Sequence, residues 1–312
     1  MRVAIYGSGG VGGYFGARLA EAGEEVGFIA RGEHLDAIRR DGLRVRSPQG
    51  DCRITPARAS DDPAEIGPVD CVLVAVKAWQ VAEIADALGP LLGPETLLLP
   101  LENGVEASDH LAERWGRERV LGGLCGILAY REAPGVIRHA GVDPFLRFGE
   151  LDNRPSERTQ RLKAMFDAAP GVTAEIPADI HTAIWSKFLF ICAMSGVGAI
   201  TRAPIGISRT QPETRRMLEG VMEEICAVAR ARGMRLPDAA VTRAMTFIDS
   251  LPESSTASMQ RDIIGGRPSE LDAQNGAVVR LGHATGIATP INAAIHAALL
   301  PQERRARGEL SF

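Results

Sequence analysis

Apolar residues in the first half of the chain fall in short, nearly unbroken runs. Between these runs lie stretches whose apolar positions recur every three or four residues. RVAIY (2–6) reads as a strand, 11–22 as a helix and EVGFIA (25–30) as a second strand. DCVLVAVK (70–77) is apolar at consecutive positions, the pattern of a strand covered on both faces. VAEIADALGPLL (81–92) reads as a helix, and TLLLPLENG (96–104) as another buried strand. Strands and helices that alternate in this way need right-handed crossovers, which predicts a doubly wound parallel sheet. Residues 120–150, with GVIRHAG and FLRFGE, predict shorter strands that complete that sheet.

Near Glu175 the pattern changes. From 180 to 300 the apolar positions keep helical spacing, with stop signals at Gly233 before LPDAA and at Gly286 before IATP. The expected division is at about Ala178: an α/β domain over 1–178 and an all-α domain over 179–312. A length of 312 residues suits two domains. The net charge of -4 argues against a general binder of nucleic acid or anionic membrane. No apolar run reads as long enough to cross a bilayer and no leader is evident, so neither a membrane nor a nucleic-acid partner is expected and the cytoplasm is the expected location. The cysteines (Cys52, Cys71, Cys125, Cys192, Cys226) are scattered without metal-ligand spacing. They are read as small buried hydrophobes, with neither a disulfide frame nor a metal site.

Candidate chemistry begins at GSGGVGG. Gly7-x-Gly9-x-x-Gly12 is weak as a bare pattern, but here it follows a strand and opens a helix. Gly7 allows the tight turn, Gly9 the close approach of a pyrophosphate, and Gly12 close packing of helix on strand. The helix-start N–H groups of the loop (Gly7, Ser8, Gly9, Gly10, Val11, Gly12) then meet phosphate charge. The second strand ends at Ala30 and Arg31, with no acidic residue to grip two ribose hydroxyls. An arginine there suits a 2′-phosphate, so NADP(H) is expected over NAD(H).

Ligands of open α/β sheets bind beyond the carboxyl ends of the strands. Lys77 and the Asn103-Gly104 pair stand at such ends; each is also an ordinary residue for a strand terminus or turn. In IWSKFLFICAMSG, Lys187, Ile191 and Ser195 share one helical face. A lysine there either snorkels to solvent or serves as a proton donor, and periodicity does not choose. Ser269, with Asp272 three residues on, predicts a helix cap that places Glu270 in a first helical turn. Ser258 reads as a helix-start residue.

Together these blocks resemble the ketopantoate reductases (2-dehydropantoate 2-reductases) over nearly the whole chain. The likeness is carried by GSGGVG, VKAWQ at Lys77, ENG at Asn103, HAG at His139, WSKF at Lys187 and SMQRDIIGGRPSELDAQNG from Ser258. It implies a Rossmann NADP-binding domain followed by an all-α domain of 6-phosphogluconate dehydrogenase C-terminal type. It implies NADPH-dependent reduction of a small 2-keto acid, ketopantoate, to the 2-hydroxy acid pantoate. By position, Lys187 would be the general acid and Glu270 would orient groups and contact cofactor or substrate. Ser258 would bind the substrate carboxylate, Asn103 would touch nicotinamide and substrate, Lys77 would line the cofactor pocket, and Ala129 would offer NADP a backbone contact.

The chain departs from the family pattern one and two turns beyond the lysine. Ile191 and Ser195 stand where asparagines are usual, and Ile205 matches a further amide. Isoleucine cannot hydrogen-bond a hydroxyl or carboxylate, so a less polar 2-keto acid is a rival substrate. A silent NADP(H)-sensing protein of the same fold is the alternative from another class, and a 3-hydroxy acid or polyol dehydrogenase a broader enzyme rival. The oligomeric state stays open, a homodimer among the options.

Overall fold

The computed structural model describes residues 1–312, which divide into two compact units. The first comprises Met1–Glu102 and Ala107–Ile180; the second comprises Asn103–Glu106 and His181–Phe312. The single cut expected near Ala178 therefore misses one feature: the short segment that begins with Asn103 packs with the helical unit.

The centre of the first unit is a five-stranded sheet in the order Arg58–Ser60, Glu25–Ile29, Arg2–Tyr6, Val69–Val74, Leu92–Pro100. All of its pairings are parallel. The order reverses between Arg2–Tyr6 and Val69–Val74, and the loops leaving those two strands carry the glycines and Lys77. The helix Gly10–Glu21 lies tightly on the sheet because glycines stand at its closest approaches. A Cβ on Gly16 would fall 2.6 Å from both Ile5 Cγ1 and Phe28 Cε1. Val3, Ile5, Phe28, Leu73 and Leu99 form the core beneath it.

Two expectations for this unit are corrected. The strands of 120–150 do not complete the parallel sheet. Ala129–Ala133 and Val136–His139 join Leu43–Arg46 and Cys52–Ile54 in a four-stranded sheet, while Leu121–Gly126 and Phe145–Glu150 join Thr173–Glu175 in a three-stranded one. An isolated parallel bridge, Leu98 to Val120, is the one β-bridge between the main sheet and the three-stranded one. Alternate residues of a parallel strand address alternate neighbours. Leu101 N–H donates to Val74 O, so Pro100 faces the other way, and having no N–H it cannot extend the ladder past Leu98. The helix expected over 81–92 is likewise broken, into an α-turn Val81–Ile84 and a 3₁₀ stretch Asp86–Leu91. Pro90 disfavours α-geometry before it, and the Trp115 indole N–H takes Ala85 O at 2.8 Å.

The second unit is helical throughout. Its axis is the helix Ile180–Thr201, whose residues Phe188, Leu189, Cys192 and Val197 are buried against Leu218, Val221, Met222 and Ile225 of the helix Pro212–Ala231. Gly233 and Gly286 end helices with φ of +84° and +72°, as the stop signals predict. The expectation of no membrane-length run is corrected on length alone. Ile180–Thr201 has 22 residues and is long and apolar enough to span a bilayer, but its most apolar stretch is mostly buried inside the protein, as in a core helix.

Candidate active site

At the switch point of the first unit, Gly7 has φ +101° and a Cβ there would lie 2.7 Å from Ala75 O. Gly12 would place a Cβ 2.2 Å from Gly7 O and 2.8 Å from Ile5 Cγ2, so both positions require glycine for packing. Gly9 differs. Nothing lies within 4 Å of its would-be Cβ, and its N–H has no partner in the protein. Gly10 is closed by the backbone of Ala129, whose carbonyl would lie 2.3 Å from a Cβ. Ser8 is buried, and both its N–H and its Oγ–H donate to Ile29 O, at 3.1 and 2.9 Å. The helix that opens here has no acidic residue in its first turn. Bare space, unpaired N–H groups and a positive helix end fit a dinucleotide pyrophosphate. Arg31 is exposed at the cap of the helix Gly32–Asp41; its carbonyl accepts from Leu35 N–H at 3.4 Å, while its guanidinium makes no hydrogen bond or ion pair and fits a further phosphate.

Lys77 does not end a strand, as the apolar run predicts. The strand stops at Val74, and Lys77 caps the 3₁₀ turn Ala78–Gln80, its N–H donating to Gln80 Oε1 at 3.1 Å. Beside it Val76 N–H donates to the buried carboxylate of Glu102 at 3.1 Å, joining two strand ends. Glu102 was not singled out in the sequence, although it stands within ENG.

In the second unit the central contact is between Lys187 and Asn103. Lys187 Nζ donates to Asn103 Oδ1 at 2.8 Å, 84 residues apart in sequence. Both side chains are half-buried. The helix brings Lys187 to this point, and the turn at Gly104, φ +124°, brings the amide. Ile191 follows Lys187 on the same face and is half-buried. Ser195 is only 1% exposed, and its Oγ has no partner. Ile205 is buried at the start of a short helix.

Glu270 is 4% exposed. It does not sit in a helical first turn, and Ser269 caps no α-helix: Glu270 lies at a bend, residues 271–274 form turns, and the next helix begins at Asn275. The local signature is overridden by a distant partner. Glu303, 1% exposed on the helix Pro290–Ala306, accepts from Ser269 N–H at 3.0 Å and from Ser269 Oγ–H at 2.5 Å. Arg307 donates to Glu303 at 2.7 Å and to Ser269 O at 3.3 Å, while Gln274 N–H takes Glu270 O at 3.0 Å. The peptide groups on both sides of Glu270 are thereby fixed. Ser258 is the first residue of the helix Ser258–Ile264, half-buried, with a hydroxyl that has no protein partner.

Comparison with known proteins agrees with this layout. Residues 3–153 match the family model described as ketopantoate reductase PanE/ApbA, and 179–303 the one described as its C-terminal part. The chain is 31% identical to a 2-dehydropantoate 2-reductase of Mesorhizobium japonicum, over 93% of this chain and 94% of that one. It is equally identical, 31%, to an uncharacterized oxidoreductase, YkpB, of Bacillus subtilis over 96% and 98% of the two chains. Among solved structures, a PanE/ApbA family ketopantoate reductase from Ralstonia eutropha superposes with a TM-score of 0.90 at 34% identity, covering 98% of this chain and all of that one.

Proposed function

Because the chain belongs to the ketopantoate reductase family of oxidoreductases, we propose that it reduces a 2-keto acid to the 2-hydroxy acid with NADPH, ketopantoate being the first substrate to test. The observation that carries this reading is the Lys187–Asn103 bond of 2.8 Å. It joins an ammonium to an amide across a half-buried surface and fixes where one of its hydrogens points. When bound, the nicotinamide supplies a hydride to the keto carbon. Negative charge then builds on the keto oxygen. Lys187 stabilises that charge and delivers the proton that completes the hydroxyl. Asn103 holds the ammonium in place throughout.

The glycine loop with its unpaired Gly9 N–H would hold the pyrophosphate, and Arg31 the 2′-phosphate that distinguishes NADP(H) from NAD(H). Ala129 contributes the backbone that closes on Gly10, and Lys77 stands beside the same strand ends. Glu270, its backbone clamped on both sides, orients groups at the reacting centre, and the unpartnered hydroxyl of Ser258 suits a substrate carboxylate. Five free thiols suit a cytoplasmic setting.

A second reading rests on Ile191. An apolar side chain next along the face from Lys187 favours a 2-keto acid with an apolar tail over one that carries a hydroxyl. One experiment addresses both: NADPH oxidation followed by absorbance with ketopantoate and a panel of branched and aromatic 2-keto acids, with Lys187→Ala as control. Steady turnover that disappears in the variant supports the reductase, and the best panel member identifies the substrate. NADPH binding without turnover on any member would leave a sensor in its place.

A further inference from the structure

We infer that His34 is a positioning residue for the dinucleotide, one that aims the Gly9 N–H at the pyrophosphate; this rests on the cofactor reading above. His34 lies on the helix Gly32–Asp41, three residues after Arg31, and is 5% exposed. Both ring nitrogens are engaged. Gly135 N–H donates to Nδ1 at 2.9 Å, so Nδ1 carries no hydrogen and the proton belongs on Nε2. Nε2–H then donates to the carbonyl oxygen of Ser8 at 2.7 Å. The tautomer is thus set by the turn at Gly135, in a different sheet from the glycine loop.

The direction of the loop follows from the planarity of one peptide bond. Ser8 C=O and Gly9 N–H belong to the same trans unit and point in opposite directions. His34 holds the Ser8 carbonyl, so the Gly9 N–H is turned away from the imidazole, where it has no protein partner; the position a Gly9 Cβ would take is open as well. The rest of Ser8 is also fixed, its N–H and Oγ–H both directed to Ile29 O. Without His34 the Ser8–Gly9 peptide would lose its only restraint on the carbonyl side. It could then rotate, and a bound phosphate would have to order it again. The same imidazole ties Gly135 to the loop, which keeps the sheet that contains Ala129 closed on Gly10. Burial favours the neutral ring that this arrangement requires; the bond to Ser8 O pulls the other way and the charge of Arg131 adds to burial, leaving the imidazole below its ordinary value.

The test separates aim from mere packing, because Arg31 and His34 share a helix. Dissociation constants of NADPH, which has a pyrophosphate, and of adenosine 2′-phosphate, which has none, are measured for wild type, His34→Leu and His34→Gln. In His34→Leu, NADPH is expected to weaken about tenfold, and adenosine 2′-phosphate to change by less than about twofold. His34→Gln, able to donate and to accept, recovers most of the NADPH affinity. If His34→Leu does not fold, His34→Asn takes its place, too short to reach both partners. Unchanged NADPH affinity overturns the inference, as does an equal loss for both ligands, the mark of a loosened helix. A wild-type protein that binds no dinucleotide overturns the cofactor reading and this inference together. One that binds NADPH without turnover removes only the reductase reading.

Discussion

Replacing Gly9 and Gly12 separately by alanine divides the glycine loop into the part that packs and the part that receives a ligand. At Gly9 a methyl group enters open space, and the backbone φ of -75° suits alanine. Loss of unfolded-chain freedom stabilises such a change by about 0.4–1 kcal/mol. Alanine is a poorer helix cap than glycine by a similar amount, so the melting temperature should hardly move. The methyl would stand where the pyrophosphate rests. Forced contact of this kind costs about 1–3 kcal/mol, which weakens NADPH about 5- to 150-fold. Gly12→Ala is opposite in character. Its methyl would lie 2.2 Å from Gly7 O and 2.8 Å from Ile5 Cγ2, against backbone that has no room to yield. The first unit should lose at least about 1–3 kcal/mol, and melting should fall by about 2–4 °C for each kcal/mol. Thermal denaturation and titration of NADPH fluorescence read both effects. A Gly9→Ala protein that melts and binds NADPH as wild type does would refute the placement of the phosphate at this loop.

Other consequences follow from single contacts. Asn103→Ala removes the acceptor at 2.8 Å from Lys187 Nζ. A hydrogen bond to a charged group is worth about 1.5–3 kcal/mol, so kcat/KM for the keto acid should fall about 10- to 100-fold, and an unchanged kcat/KM would remove the positioning role. Arg31→Ala should weaken NADPH far more than NADH, and equal losses would remove the case for the 2′-phosphate. Burial, with Arg131 adding to it, holds the His34 imidazole below its ordinary value. Its contribution to stability is therefore whole above about pH 6.5 and is lost as the pH falls through the lowered value. Melting of wild type should drop on acidification by more than that of His34→Gln, which has no proton to gain.

The parallel sheet, the glycine helix and the long helix bearing Lys187 were legible because each is written in local periodicity. Runs covered on both faces and three-to-four spacing survive packing unchanged. The errors fall where a distant residue decides. Ser269 with Asp272 looks like a cap, yet its hydroxyl goes to Glu303, 34 positions later. Pro100 looks like one more apolar residue of a strand, yet its missing N–H ends the ladder that 120–150 would have extended. Asn103 reads as part of the turn that closes a strand, but it packs with the helical unit and meets Lys187. His34, Glu102 and Glu303 carried no local signal, because each acts by bonding to backbone that folding brings beside it. Lys187 could be placed on a face from spacing; its partner could not.

The most direct measurement is a crystal structure of the protein with NADP⁺ and the 2-hydroxy acid that the substrate panel identifies. Lys187 Nζ should lie within about 2.6–3.2 Å of the C2 oxygen, with Asn103 still on the ammonium. A lysine turned to solvent, with another group on that oxygen, would contradict the assignment of the proton donor.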